Sequence, residues 1–140
     1  MQELQVRSGP PPRQLPDRLR VVGPGWHPLL LRLHERLLSL EADYRIEDLK
    51  EKLGGVRIHV MAASTTAHAE MRGFLTEAEK QSETICEFCG RRRRRNDDPA
   101  GWIKTVCDHC HAGWSHHTIL IINGEVRHRS HEGRRRKSTP

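Results

Sequence analysis

The chain has 140 residues, 35% hydrophobic and 4% aromatic, which bounds it to one domain with a modest aliphatic core that would gain from a covalent or metal staple. No apolar run approaches the roughly 20 residues that span a bilayer, and the first 25 residues hold no apolar leader, so a soluble cytoplasmic protein with no membrane partner is expected. The net charge of +6 sits at one end: residues 1–85 carry 12 Lys and Arg against 12 Asp and Glu, and residues 86–140 carry 12 against 6.

Taken in chain order, residues 1–25 read as a flexible arm. Pro10, Pro11, Pro12, Pro16 and Pro24 with Gly9, Gly23 and Gly25 leave little room for regular structure. Trp26 to Leu40 reads as a first helix. Leu30, Leu33, Leu37 and Leu40 recur at helical spacing, Leu29, Leu31 and Leu38 widen the stripe, and Pro28 suits the first turn.

Asp43 to Leu53 reads as a short second helix, with Asp43 as cap, Ile46, Leu49 and Leu53 on one face, and Gly54 as its left-handed stop. Val56 to Val60 alternates with period two and is expected as a strand with Val56, Ile58 and Val60 inward. Thr66 to about Thr84 reads as a third helix, capped by Thr66 and burying Ala67, Met71, Phe74, Leu75 and Ala78. Gly73 within it reads as a point of close packing. Trp102 to Val106 is expected as a strand. Asn123-Gly124 between two extended runs predicts a β-hairpin with strands near 117–122 and 125–129. Residues 130–140 read as a basic tail.

All four cysteines lie between these last elements, as Cys86-x2-Cys89-x17-Cys107-x2-Cys110. Each Cys-x-x-Cys turn places two thiolates on one side of a tight loop, and two such turns complete a tetrahedral shell. Gly90 directly after the first pair supplies the sharp turn a knuckle needs. Four thiolates leave no open position for catalysis, so one structural Zn2+ on Cys86, Cys89, Cys107 and Cys110 is expected. The alternatives are a site in which His109 or His111 replaces a cysteine, a redox dithiol, or an iron–sulfur cluster. His111, His116 and His117 offer a weaker second site, against the commoner reading of a histidine-rich surface.

Arg91, Arg92, Arg93, Arg94 and Arg95 follow the first knuckle, and residues 96–101 read as an exposed loop. With Arg127 and Arg129 these arginines form a candidate surface for phosphates or another anionic partner. A solvated charge run is the plainer alternative. Arginines outnumber lysines 19 to 5, which codon usage in a GC-rich genome produces without selection for a partner. Little aromatic interleaving accompanies the run, and Trp102 and Trp114 read as packed under the knuckle.

The series Gly25-Trp26-His27-Pro28-Leu29-Leu30, Asp43-Tyr44-Arg45-Ile46-Glu47-Asp48-Leu49-Lys50-Glu51-Lys52-Leu53-Gly54-Gly55-Val56-Arg57, Ala78-Glu79-Lys80-Gln81-Ser82, Cys86-Glu87-Phe88-Cys89-Gly90 and Gly101-Trp102-Ile103-Lys104-Thr105-Val106-Cys107-Asp108 resembles a family of small, largely uncharacterised bacterial and phage-encoded proteins. The resemblance covers roughly residues 25–112. It implies a bacterial or phage source and the four cysteine ligands, and no enzyme activity. The five arginines and the histidine-rich hairpin depart from the family pattern.

The fold expected is α+β: three helices and a short strand over residues 26–85, then a four-cysteine zinc-ribbon or treble-clef-like unit with a C-terminal β-hairpin over 86–129. The expected function is a non-enzymatic zinc protein whose basic half contacts nucleic acid or a nucleic-acid-handling complex. An alternative is a protein–protein inhibitor or adaptor that binds an acidic host surface. The third reading, a His-metal-finger nuclease, rests on Asp108-His109-Cys110-His111 with His116, His117 and Asn123, whose order fits such enzymes poorly.

Overall fold

The computed structural model describes residues 13–61, 65–92, 95–97 and 103–129. It is a mixed α/β fold with four helices and three two-stranded antiparallel sheets among the described residues. The order is α1 (Leu15–Arg18), α2 (His27–Leu40), β1 (Arg45–Lys52), β2 (Gly55–Met61), α3 (Thr65–Ser82), β3 (Arg95–Asp97), β4 (Ile103–Val106), α4 (Asp108–Ser115), β5 (Ile119–Ile122) and β6 (Glu125–His128).

Helix α2 forms where the leucine period placed it, with Pro28 in its first turn and Leu29, Leu30, Leu33 and Leu37 buried. Leu31, counted in the stripe, is exposed. Helix α3 packs Met71, Leu75 and Ala78 into the same core, with Phe74 at its margin. A cation–π contact from Arg36 to Phe74, 5.3 Å from guanidinium carbon to ring centre, closes the α2–α3 edge. Gly73 does not mark close packing. A Cβ there meets nothing within 4 Å. Gly73→Ala is therefore expected to stabilise the fold by about 1 kcal/mol, read as a rise of a few degrees in Tm.

The second expected helix is a strand. Residues 45–52 pair with β2 in a hairpin, Ile46 opposite Val60 and Leu49 opposite Ile58. The register shifts between Ile46 and Asp48, so Glu47 is the extra residue of a β-bulge. The bulge resets the in–out alternation, and Ile46 and Leu49 both face the core although three positions apart. That spacing is what a helix would show. Leu53 and Gly54, at φ 54° and 84°, form the two-residue turn, so the left-handed Gly54 closes a hairpin and not a helix. Leu53 is exposed at the tip. Strand β2 matches expectation, with Val56, Ile58 and Val60 buried.

Residues 13–25, expected within the arm, are folded; residues 1–12 and 130–140 lie outside the described residues. Leu15 and Val22 are fully buried in the first core. Gln14 Nε2 donates to the carbonyls of Ala42 and Tyr44, both at 2.9 Å. The amide of Leu15 donates to the Tyr44 hydroxyl at 3.0 Å, and that hydroxyl lies 2.6 Å from His34 Nδ1. Burial pushes the Tyr44 phenol up to about 12 and holds His34 below its ordinary value, outweighing the opposite pull of Glu35 and Asp17 on the imidazole. The Tyr44 O–H thus donates to a neutral imidazole.

The unfolded chain protonates this histidine near pH 6.5, and the folded chain only at lower pH. Its contribution is fully present above about pH 6.5 and is lost as pH falls below it, by at most about 1.4 kcal/mol per pH unit. Urea unfolding at about pH 7.5 and 5.5 is expected to show a shallower pH dependence in His34→Gln than in wild type. Equal slopes would contradict the account.

A second apolar cluster gathers Phe88, Val106 and Trp114 with the cysteines, and Ile119, Ile121 and Val126 pack against it. The two clusters meet along a polar seam. Gly25 N donates to Glu87 O at 2.8 Å, and Trp26 Nε1 to Ile85 O at 2.9 Å. Glu87 is 2% exposed. Its carboxylate accepts from Gly23 N at 3.0 Å and from Lys104 Nζ at 2.7 Å. Thr105 Oγ1 donates to Gly54 O, fixing the β1–β2 turn to β4. Residues 19–26 are therefore a joint between the helical front and the cysteine unit.

Candidate metal centre

The first cysteine turn is built by backbone bonds. Gly90 N donates to Cys86 O at 2.9 Å and Cys86 N to Arg91 O at 2.7 Å, with Gly90 at φ 86°. Only glycine takes that conformation at little cost. Strand β4 then returns the chain to Cys107, which precedes α4 with extended backbone, and His111 N donates to Cys107 O at 2.9 Å. Cys110 lies in the first turn of that helix. The second pair is thus held by a helix start, and the first by a loop.

Helix α4 was not anticipated. Its sequence, DHCHAGWS, is short and rich in weak helix formers. It is held by packing: Trp114 is buried, and Gly113 lets Ile119 lie against the helix, since a Cβ there would sit 3.1 Å from the Ile119 side chain.

The four cysteine sulfurs lie within 4.8 Å of one another. All are free thiols, and Cys89 Sγ is 3.5 Å from Cys107 Sγ. Sulfurs at about 2.3 Å from a tetrahedral ion stand about 3.8 Å apart, whereas a disulfide needs about 2.05 Å. The donor set therefore fits one metal ion. Cys86, Cys107 and Cys110 are buried and Cys89 is exposed.

The thiols are unequal. Partial desolvation of its sulfur raises Cys89 above the ordinary thiol value although the residue is exposed, against a hydrogen bond from the Arg91 amide. Burial raises Cys110 as well, aided by its electrostatic interaction with Cys86. Burial acts upward on Cys107 too, but the Cys110 amide and the neighbouring thiols outweigh it and bring it below the ordinary value. Four sulfurs this close together, three of them on buried residues, accommodate one thiolate easily and four only around a cation. The amide bonds from Arg91 and Cys110 are the outer-shell support that orients thiolate ligands.

Among the described residues these cysteines are the only group of three or more potential ligands brought together. His109, His116 and His117 are exposed and His111 half-buried. His111 makes an edge contact with Trp114 at 6.0 Å, and His116 Nδ1 lies 2.9 Å from Ala112 O. His111, His116 and His117 form no second site there, and neither His109 nor His111 replaces a cysteine.

The arginines divide. Arg91 and Arg92 are exposed, and Arg92 forms a β-bridge to Ile85, so the run starts as extended chain. Arg95 to Asp97 form β3, so the loop expected at residue 96 begins one strand later. Arg93, Arg94 and Trp102 lie outside the described residues. Arg127 pairs with Glu125 at 3.1 Å on the C-terminal hairpin, and Arg129 is exposed. That hairpin forms as expected, with Asn123 and Gly124 at φ 55° and 80°. No helix among the described residues is long and apolar enough to cross a membrane. Compared with known proteins, no family model, curated sequence or solved structure matches the chain.

Proposed function

We propose that the chain is a small binding protein in which one Zn2+, held by Cys86, Cys89, Cys107 and Cys110, staples a treble-clef-like unit that presents a basic surface to nucleic acid. The observation that carries the metal assignment is the four-thiol cluster itself: the first cysteine turn and the start of α4 bring four sulfurs within 4.8 Å of one another. An all-thiolate tetrahedral set suits zinc and leaves no vacant coordination position, which favours a structural role. The exposed Arg91, Arg92 and Arg129, together with the concentration of the net charge in this half, support a polyanionic partner. The motif resemblance is consistent with a bacterial or phage-infected cell as the setting.

The test is a salt titration of DNA and RNA binding by the zinc-loaded chain. Each phosphate contact is expected to steepen the log–log slope by about 0.9, and replacing Arg91 and Arg92 together by alanine to flatten it by about two such contacts. Weak binding with no salt dependence would sink the reading. A second reading, an adaptor that binds a protein, is favoured by the exposed Leu53 of the β1–β2 turn and the exposed Ile103 of β4, whose side chain approaches that turn at Gly54. A host protein retained by the chain after nuclease treatment, and lost in Leu53→Asp, would support it.

A further inference from the structure

A groove runs beside the cysteine cluster, between the first knuckle, α4 and the β5–β6 hairpin, with a volume of about 390 Å³. Its walls are mainly apolar. Phe88, Ile119 and Val126 line it together with Cys89, Cys110, His109 and His128. Cys89 and Cys110 line it while Cys86 and Cys107 do not, so the space adjoins the cysteine cluster on one side. Its volume falls near the lower end of the roughly 300–1,000 Å³ typical of ligand pockets.

No carboxylate is among the groove's lining residues. His109 and His128 are exposed imidazoles, and Arg91, whose amide donates to Cys89, is exposed at the knuckle end. Arg127 is not counted, because it pairs with Glu125 and alternates with His128 along β6.

We infer that this groove takes one unpaired base of a single-stranded nucleic acid, with an adjoining phosphate on Arg91. The inference rests on the nucleic-acid reading above and narrows it to single strands. An apolar slot with flat, polar-edged side chains at its rim and arginine beside it is the combination that binds single strands: the backbone follows the positive charge and a base stacks in the slot. A duplex keeps its bases paired and has none to offer.

The experiment measures anisotropy of labelled oligo-dT and of a duplex of the same length, with the zinc-loaded full chain. Wild type is expected to bind the single strand about tenfold more tightly than the duplex. Replacing His109 and His128 together by alanine should remove that preference and leave duplex affinity unchanged. Both side chains are exposed, and unchanged zinc content and circular dichroism would show the fold intact. Arg91→Ala should weaken both ligands. Equal affinity of wild type for the two ligands, or a histidine pair variant that changes neither or both alike, would overturn the groove assignment while leaving a basic nucleic-acid surface standing. An apolar dye seated in the groove and not displaced by oligo-dT would assign it to another occupant. Binding of neither oligonucleotide would overturn this inference and the nucleic-acid reading together.

Discussion

Cys86→Ser is expected to unfold the chain well beyond the cysteine unit. Binding of structural zinc contributes about 10–16 kcal/mol in isolated finger peptides, and a domain's net stability is about 5–15 kcal/mol. Losing one thiolate of four removes a large part of the first quantity, which exceeds much of the second. The effect should spread because the knuckle is not a separate appendage. Gly25 and Trp26 hydrogen-bond to Glu87 and Ile85, and Glu87 is buried between Gly23 and Lys104. When the knuckle opens, Glu87 loses its position and Trp26, which is fully buried in the first core, loses its partner. Thermal unfolding of Cys86→Ser, or of wild type with a chelator, should show one transition at much lower temperature. Two transitions, one unchanged, would mean the front is independent of the metal.

Gly25→Ala is expected to destabilise by about 3 kcal/mol, a fall of about 10 °C or more in Tm, without touching a ligand. A Cβ at residue 25 would fall far inside contact distance of the Cys86 carbonyl oxygen and 2.5 Å from the Gly90 nitrogen. These are backbone atoms of the knuckle and cannot rotate aside. The joint must open, and the Gly25 N to Glu87 O bond is lost with it. Zinc affinity should fall as well, since the displaced atoms belong to the turn that holds Cys86 and Cys89. The same substitution at Gly73, which faces open space, carries the opposite sign. The pair separates a packing effect from a general glycine effect.

The parts of the fold that local periodicity determines were legible in the sequence. The leucine stripe placed α2, the alternation placed β2, and Asn123-Gly124 placed the last hairpin to within about two residues. The cysteine spacing named the four sulfurs that the fold brings together. What failed was non-local. The bulge at Glu47 imposes a three-residue spacing on a strand, and only its pairing with β2 reveals it. Helix α4 has little intrinsic propensity and exists because Trp114 and the cysteine turn hold it. The segment 13–25 reads as an arm from its prolines and glycines, yet Gly23 and Gly25 are there because backbone must approach backbone. One signal was available: two glycines flanking a proline immediately before a tryptophan are as much the mark of a close approach as of a flexible linker.

If four thiolates hold one metal ion that supports the fold, metal and tertiary structure are gained together. Titration of the reduced, metal-free chain with Co2+, which takes zinc's place and reports its coordination by absorbance, tests it most directly. The expected result is the spectrum of a tetrahedral all-thiolate site, saturating at one equivalent, displaced by Zn2+, with near-ultraviolet circular dichroism of the buried tryptophans appearing in step. Saturation at another stoichiometry, a spectrum without thiolate-to-metal charge transfer, or tertiary structure already complete before metal is added would contradict it.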